Sequence, residues 1–321
     1  MQTRVNEAST GREPLTGYEL IDFGRGRKLE SFGGILVDRP CPAAIGFATQ
    51  TSLWESAELI YETPPDSGCG WRTLQGCPPS RSSWMVELRS WPRAYSLRLI
   101  VRVQSTGQLG LFPEHWQQWT WLDDRISRWR GANEENMSPV RAPRVLHLFA
   151  YTGATTLALA AMQAEITHVD AMQSAVDWAR ENARASNLSE SPIRWIVDDA
   201  RKYVAREGRR GKKYDLILLD PPSYGHGPSG RAWAIQRDLE PLLLACAELV
   251  EPDGIGLVLT GHSPDVDLQS LRDALAGSAG QRWEYLETET AELRDRAGRE
   301  LNCGYVARFF PDSPIGPSSS G

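Results

Sequence analysis

Four aspartates follow predicted strand ends in the C-terminal half of the chain. Asp170 ends THVD, Asp198 and Asp199 follow RWIV, and Asp220 ends YDLILLD. If these strands are parallel, their carboxyl ends meet at one edge of a sheet, where α/β proteins bind ligands. A single aspartate at such a position often caps the next helix instead. Three successive strand ends with a carboxylate, after a glycine turn, favour ligand binding.

Asp220 begins the sequence Asp220-Pro221-Pro222-Ser223, which Tyr224 follows. Two consecutive prolines fix φ and remove both backbone donors, so we expect free carbonyl groups that point in fixed directions. An aspartate carboxylate and a proline carbonyl can together hold an amino group, while an aromatic ring stacks on the base that carries it. The sequence therefore predicts an acceptor site for an amine at Asp220, Pro221, Pro222 and Tyr224.

The stretch from residue 144 to residue 170 has the pattern of a strand, a turn, an alanine-rich helix and a second strand. Dinucleotide-binding turns need three glycines so that the backbone can approach a pyrophosphate. This turn has only Gly153, so we expect a cofactor without phosphate, such as S-adenosylmethionine (SAM), with Asp170 accepting hydrogen bonds from its ribose. The turn alone also fits an ordinary tight connection between a strand and a helix.

The composition is that of an ordinary globular protein, with 41% hydrophobic and 24% charged residues among 321. We find no apolar run of 18 residues and no hydrophobic signal core at the N-terminus, so we predict a cytoplasmic protein without a membrane partner. The cysteines are odd in number and lack the paired spacing of a zinc site, which predicts reduced thiols and no metal: Cys41, Cys69, Cys77, Cys246 and Cys303.

A net charge of −6 argues against binding nucleic acid by bulk electrostatics. One local exception is residues 201–213, which contain seven Lys or Arg and only Glu207 as an acid. Such a run is either a basic patch or a solvated helix face. Among the twelve tryptophans, Trp116, Trp119 and Trp129 recur at helical spacing, which predicts packing in the core or between domains.

The order of predicted elements indicates two domains. Short apolar runs alternate with Gly/Pro-rich turns in the first third of the chain, which predicts a small antiparallel β domain, in the form of an open barrel. Strands and helices then alternate, which predicts a Rossmann-like α/β domain with seven strands, mostly parallel and one antiparallel. The predicted segments are a disordered leader (1–16), the β domain with a Trp-rich helix (17–135), a linker (131–143), the α/β domain (144–311) and a disordered tail (312–321).

Several motifs together resemble a known family. The sequences VLHLFAYTGATTLALA, THVDAMQSAVDWARENARASNL and YDLILLDPPSYGHG are similar to the class I SAM-dependent methyltransferases related to the bacterial 23S ribosomal RNA (rRNA) methyltransferases. The similarity covers the whole second domain. The segments GYELIDFGRGRKLESFGG and GQLGLFPEHWQQWTWLDD resemble the leader domain of one branch of that family.

The resemblance implies roles for individual residues. It implies that Asp170 and Ala171 bind the ribose side of SAM and that Asp199 and Ala200 contact the adenine. It also implies that Asp220, Pro221 and Pro222 face the methyl acceptor, with Asp220 contacting the cofactor as well. The turn that would line the methionine part consists of Phe149, Ala150, Tyr151, Thr152 and Gly153. That branch of the family has Lys and Phe after the two prolines, where this chain has Ser223 and Tyr224.

Methylation of pyrimidine C5 requires a cysteine nucleophile beside the target, and residues 220–232 contain none. We therefore expect transfer to a nitrogen, with rRNA as the leading substrate and its base single-stranded or flipped out. Two alternatives remain open from the sequence. One is a methyltransferase acting on a protein side-chain amide or a small molecule, and the other is a catalytically decayed protein that binds SAM or RNA during assembly.

Overall fold

The computed structural model describes residues 16–62, 70–73, 82–90, 95–135, 141–225, 232–263, 266–277, 283 and 285–310. The predicted disordered leader, except residue 16, and the predicted disordered tail lie outside these ranges, as do Cys69 and Cys77.

Within the described ranges, the N-terminal half contains seven strands and a short helix, and both of its sheets contribute to the same large apolar core. Strands β1 to β5 form a sheet in chain order, antiparallel except for the parallel pair β3 and β4, while β6 and β7 form an antiparallel pair of their own. The elements are β1 (Tyr18–Gly24), β2 (Arg27–Phe32), β3 (Ile35–Pro40), α1 (Thr51–Trp54), β4 (Leu59–Tyr61), β5 (Trp71–Arg72), β6 (Ser83–Ser90) and β7 (Tyr95–Arg102).

A one-turn 3₁₀ helix (Pro113–His115) leads into the tryptophan-rich helix α2 (Trp116–Glu135). Trp119 and Trp129 are buried, as the helical spacing predicts. Their indole N–H groups donate to the Thr155 hydroxyl and the Asp253 carbonyl in the second half of the chain. Helix α2 includes residues 131–135, so the predicted linker begins too early, because nothing in that stretch interrupts the helix.

The C-terminal half contains a seven-stranded sheet in the order β10-β9-β8-β11-β14-β16-β15. Every pairing is parallel except those of β16 with β14 and β15, which confirms the predicted mostly parallel sheet with one antiparallel strand. Its elements are β8 (Arg144–Leu148), α3 (Ala154–Ala161), β9 (Glu165–Asp170), α4 (Gln173–Ala185), β10 (Ile193–Val197), α5 (Ala200–Arg209), β11 (Leu216–Leu219), β12 (Tyr224–Gly225), β13 (Trp233–Ala234), α6 (Ile235–Ala247), β14 (Gly256–Gly261), α7 (Leu268–Gly277), β15 (Tyr285–Arg294) and β16 (Glu300–Phe310).

Alternate residues of the central strands point to opposite faces of this sheet, so each face has its own apolar core. Val145, Leu216 and Val258 pack with helices α2 and α3 and with the N-terminal half. Leu146 and Ile217 pack on the other face with α5, α6 and α7. With both faces covered, the carboxyl edge of the parallel strands is the place left for a ligand.

Candidate active site

The turn after β8 has left-handed backbone at alternate positions. Phe149, Tyr151 and Gly153 have φ angles of 55°, 49° and 82°. Glycine is needed at the third position, since a Cβ there would lie 2.9 Å from the Cβ of Ala179 in α4. The two non-glycine residues are strained, and such strain persists at ligand sites when the surroundings hold the backbone in place.

Asp170, at the end of β9, helps to hold this turn. Its carboxylate accepts hydrogen bonds from the backbone N–H groups of Tyr151 (2.8 Å) and Met172 (2.9 Å). Burial raises the pKa of Asp170. Hydrogen bonds from these two N–H groups and from that of Ala171 lower the pKa, but the effect of burial is larger. Each carboxylate oxygen has one backbone donor and keeps a lone pair for a ligand hydroxyl. Met172, 54% exposed, and Val197, which pairs with Asp170 across the sheet, place apolar surface beside it.

Asp199 is the N-cap of helix α5. Its carboxylate accepts from the backbone N–H groups of Arg201 (2.9 Å) and Lys202 (3.3 Å), and the Arg201 guanidinium binds both of its oxygens. Asp198 is likewise engaged by Arg206 at 2.7 Å. Helix capping, the alternative considered for any single aspartate at a strand end, therefore describes the contacts of Asp199. Contact with adenine remains a prediction for Asp199 and Ala200.

Asp220, directly after β11, lies in a cleft. Its Oδ1 accepts a 2.6 Å hydrogen bond from the Thr260 hydroxyl, and its Oδ2 lies 3.7 Å from Nε2 of His115. Burial alone would raise the pKa of Asp220, but the electrostatic influence of the neighbouring His115, the hydrogen bond from Thr260 and two further histidines together lower it, which favours the carboxylate form. The cleft residues come from both halves of the chain: His115, Gln118, His147, Thr155, Leu218, Leu219, Asp220, Val258 and Thr260.

The two proline carbonyls after Asp220 differ, which corrects the prediction that both are free. The carbonyl of Pro222 accepts a 2.6 Å hydrogen bond from the Trp233 indole N–H, because the chain returns as β13 beside β12. Among the described residues, no donor binds the carbonyl of Pro221. Tyr224 is 72% exposed next to it, and the Ser223 hydroxyl is bonded to that of Ser263 at 2.6 Å.

The N-terminal half holds the glycine turn from the other side. The Thr152 hydroxyl donates to the Gly110 carbonyl, and the Gln104 amide donates to the Tyr151 hydroxyl. The amide of Asn182, in α4, donates to the Thr152 carbonyl (2.9 Å) and accepts from the N–H of Ile100 in β7 (2.8 Å). These contacts join residues far apart in the chain, so no local sequence pattern indicates them.

Most of the basic run at residues 201–213 is paired. Arg201 binds Asp199 and Asp238, Arg206 binds Asp198, and Arg210 binds Glu207. The Lys213 ammonium donates to the carbonyl of Glu248. The run is therefore mainly a salt-bridged helix face, the second of the two interpretations that its charge pattern allows.

The described cysteines lie away from Asp220. Cys246 is fully buried in α6, and this burial raises the pKa of its thiol far above the ordinary value. Cys41 and Cys303 are half-buried and pack against the apolar core of the N-terminal half. None of the three lines the cleft.

The residues at this edge fit SAM. The fit rests on the donors and acceptors present: a half-buried carboxylate with spare lone pairs, apolar surface beside it, and a second carboxylate in the adjoining cleft. In the described ranges, no helix has the length and apolar character of a membrane span. The same residues contain no cluster of three or more His, Cys, Asp or Glu that could hold a metal ion.

Comparisons with known proteins show which proteins this chain resembles. A profile of the family described as conserved hypothetical protein 95 matches residues 129–242. Ribosomal RNA large subunit methyltransferase I of Yersinia pseudotuberculosis is 30% identical over 314 residues, which cover 93% of this chain and 74% of that protein. The enzyme of the same name from Serratia proteamaculans is 28% identical over 196 residues, which are 60% of this chain but only 46% of that protein.

Solved structures show the same relationship. A SAM-dependent methyltransferase from Agrobacterium tumefaciens superposes with a TM-score of 0.78 and 32% identity, covering 94% of this chain and 91% of that one. SMU.776, solved in complex with SAH, shares the fold at a TM-score of 0.64 and 16% identity, covering 89% of this chain and 71% of that one. The chain therefore belongs to the class I SAM-dependent methyltransferase family that includes ribosomal RNA large subunit methyltransferase I.

Proposed function

We propose that this methyltransferase transfers the methyl group of SAM to a base nitrogen of ribosomal RNA. The observation that carries the proposal is the pair of free acceptors at the end of β11. Asp220 keeps Oδ2 available in the cleft, no described donor binds the carbonyl of Pro221, which follows it, and Tyr224, three residues further along the chain, is 72% exposed. Two acceptors and a stacking surface suit a planar amine.

The cofactor is assigned to the neighbouring part of the edge. The turn from Phe149 to Gly153 would line its methionine part, Asp170 and Ala171 its ribose, and Asp199 and Ala200 its adenine. When bound, SAM supplies a methyl group on a positively charged sulfur. This chemistry needs alignment and exclusion of water more than a strong acid.

The acceptor base would be held by Asp220, Pro221 and Tyr224. The carboxylate and the carbonyl each accept one N–H of the amino group, which directs its lone pair away from them. Tyr224 would stack on the ring, a contact that tolerates any base. Pro222 acts indirectly, since its carbonyl accepts from the Trp233 indole and so ties β13 to the end of β11. A base inside a duplex cannot reach this site, so the target must be unpaired or flipped out.

Nitrogen is favoured over pyrimidine C5 by the positions of the cysteines. C5 methylation needs a thiolate that attacks the base, and a thiolate forms readily only where its pKa is lowered. Burial has the opposite effect on Cys246. No cysteine lines the described cleft, whereas the acceptor pair that an amine needs is present.

The names of the relatives point to rRNA, and an rRNA substrate agrees with the predicted location in the cytoplasm. The charge of the chain constrains how RNA is bound. With a net charge of −6 and its most basic helix face paired, recognition rests on the base and on local contacts more than on a broad basic surface.

The test is to incubate the protein with tritiated SAM and either protein-free rRNA or total cell protein, then to digest the labelled rRNA and identify the methylated nucleoside. We expect label in rRNA on a base nitrogen, its loss in Asp220→Ala, and its retention in the surface control Asp177→Ala. Label at carbon 5 of a pyrimidine would contradict the nitrogen assignment. Label in the protein fraction would favour an amide substrate, and SAM binding without transfer to either would favour a decayed assembly factor.

A further inference from the structure

His115 is the imidazole that faces the carboxylate of the acceptor site. Its Nε2 lies 3.7 Å from Oδ2 of Asp220, the oxygen that Thr260 leaves free. The ring is held by stacking on Phe112, with the two ring centres 5.9 Å apart, and by a backbone hydrogen bond from its N–H to the Phe112 carbonyl. Its side chain is 16% exposed, so it connects the cleft with solvent.

We propose that His115 takes up, through Asp220, the proton that the acceptor nitrogen releases. This inference rests on the proposed function. When the nitrogen has gained its methyl group, and the cofactor sulfur has kept the electron pair of the broken C–S bond, the nitrogen is positively charged. It regains a lone pair by passing its proton to Oδ2 of Asp220. The proton then moves to Nε2 of neutral His115, which restores the carboxylate and gives an imidazolium beside it.

The second transfer requires the two side chains to approach to about 2.8 Å, a modest movement from the observed separation. Such contacts are commonly longer before substrate binds. The resulting ion pair favours the transfer, because opposite charges in a partly buried cleft attract more strongly than in water. Exposed to water on one side, His115 then returns the proton to solvent.

Three other titratable groups face Asp220 from the packed elements. His147 in β8 is fully buried with a hydrogen bond to Thr156, and burial lowers its pKa to about 4, so it remains neutral. Tyr305 in β16 has its pKa raised to about 12 by burial and by the charge of Asp220, so it is a poor base. His262, after β14, is exposed and makes no direct contact with the Asp220 carboxylate in the described structure.

The proposal predicts a specific pH dependence. An imidazole accepts a proton only in its neutral form, and histidines ordinarily titrate between pH 5 and 8. The single-turnover rate should therefore fall as the pH is lowered through this range. In His115→Gln the rate at pH 8 should be lower by about 10- to 100-fold. The fall in rate at low pH, the acidic limb of the profile, should be absent from this variant.

The experiment measures single-turnover methyl transfer to rRNA from pH 5.5 to 8.5 for wild type, His115→Gln and His262→Gln. The proposal is supported if His115→Gln, but not His262→Gln, loses the fall in rate at low pH. A wild-type limb in His115→Gln, or its loss in His262→Gln, would overturn it. Calorimetry at pH 8 should give wild-type SAM affinity for His115→Gln. Absence of transfer by the wild type would instead refute the proposed function, and the inference with it.

A readout without cofactor or substrate tests the contact itself. The ring resonances of the histidines can be assigned by comparison with the single variants and then recorded in Asp220→Asn. We expect the His115 resonance to shift in Asp220→Asn and to keep its wild-type position in the surface variant Asp177→Ala. An unchanged His115 resonance would exclude the contact on which the proton path depends.

Discussion

Replacing Asn182 with alanine tests whether the glycine turn depends on the N-terminal half of the chain. The Asn182 side chain is 1% exposed, and its amide satisfies the Thr152 carbonyl in the turn and the Ile100 N–H in strand β7. Alanine leaves both backbone groups without a partner in a region that water enters poorly. Each such group costs about 1–3 kcal/mol, so for the two groups we expect a loss of about 2–6 kcal/mol in the free energy of unfolding.

The same helix provides a matched control. Trp178 and Asn182 in α4 and Ser186, the C-cap of that helix, are spaced four residues apart, and they bond to the edge of β7 at Ile100 and Arg98. Four residues advance about 6 Å along a helix, and two residues advance about 6.7 Å along a strand. The spacing from Asn182 to Ser186 therefore matches the spacing from Ile100 to Arg98. The Ser186 contacts are exposed, so water can replace the hydroxyl, and Ser186→Ala should cost about 0.5 kcal/mol.

Urea unfolding of the two variants measures this difference, and calorimetry with SAM measures its consequence for the turn. Because Thr152 belongs to the turn, Asn182→Ala should also weaken SAM binding about tenfold, which corresponds to roughly 1.4 kcal/mol of lost preorganisation. Equal stability of Asn182→Ala and Ser186→Ala would refute the reasoning. So would a destabilised Asn182→Ala protein that binds SAM as tightly as wild type.

Three further predictions address the cofactor, the pH dependence of stability and the cysteines. Asp170→Ala should weaken SAM binding about 100-fold by calorimetry, from two lost hydrogen bonds to a charged group, while Asp177→Ala should not. Burial favours a raised pKa for Glu30, but Arg39 and its neighbours lower it from 4.5 to about 2. Glu30 therefore stabilises the fold by about 3 kcal/mol above pH 5, and the stability gap between wild type and Glu30→Gln should close between pH 4.5 and 2 in urea titrations. Cys246→Ala should keep transfer within about threefold of wild type in the tritium assay, because nitrogen methylation needs no thiolate.

The sheet could be predicted because its information is local. Strands β9, β10 and β11 are short, largely apolar runs that end at or just before an aspartate, and the helices between them, α4 and α5, are amphipathic. The position of Gly153 also follows from sequence, since the turn requires left-handed backbone there. Asp170 and Asp220 lie at the carboxyl ends of β9 and β11, the two strands that flank β8, as expected because parallel strands share an edge.

Hydrogen-bond partners could not be predicted in the same way. A carboxylate after a strand fits both a ligand contact and a helix cap, and only the backbone hydrogen bonds from Arg201 and Lys202 show that Asp199 caps α5. The carbonyl of Pro222 is occupied by Trp233, eleven residues later, because a loop folds back. His115 and Thr260 reach Asp220 from 105 and 40 positions away, and their sequence surroundings carry no sign of that meeting.

One short segment of the N-terminal half, residues 110–115, contacts both parts of the candidate site. At its start, the Gly110 carbonyl accepts from Thr152 in the glycine turn, and at its end His115 faces Asp220. Gly110 has a φ of 82°, and a Cβ there would lie 2.3 Å from the ring of Trp178, so the segment is fixed against α4. A displacement of this segment therefore alters the turn assigned to the cofactor and the carboxylate assigned to the acceptor together. The N-terminal half is for this reason a structural part of the site, and a C-terminal half expressed alone would lack the Gly110 carbonyl that accepts from Thr152 and the His115 imidazole that faces Asp220.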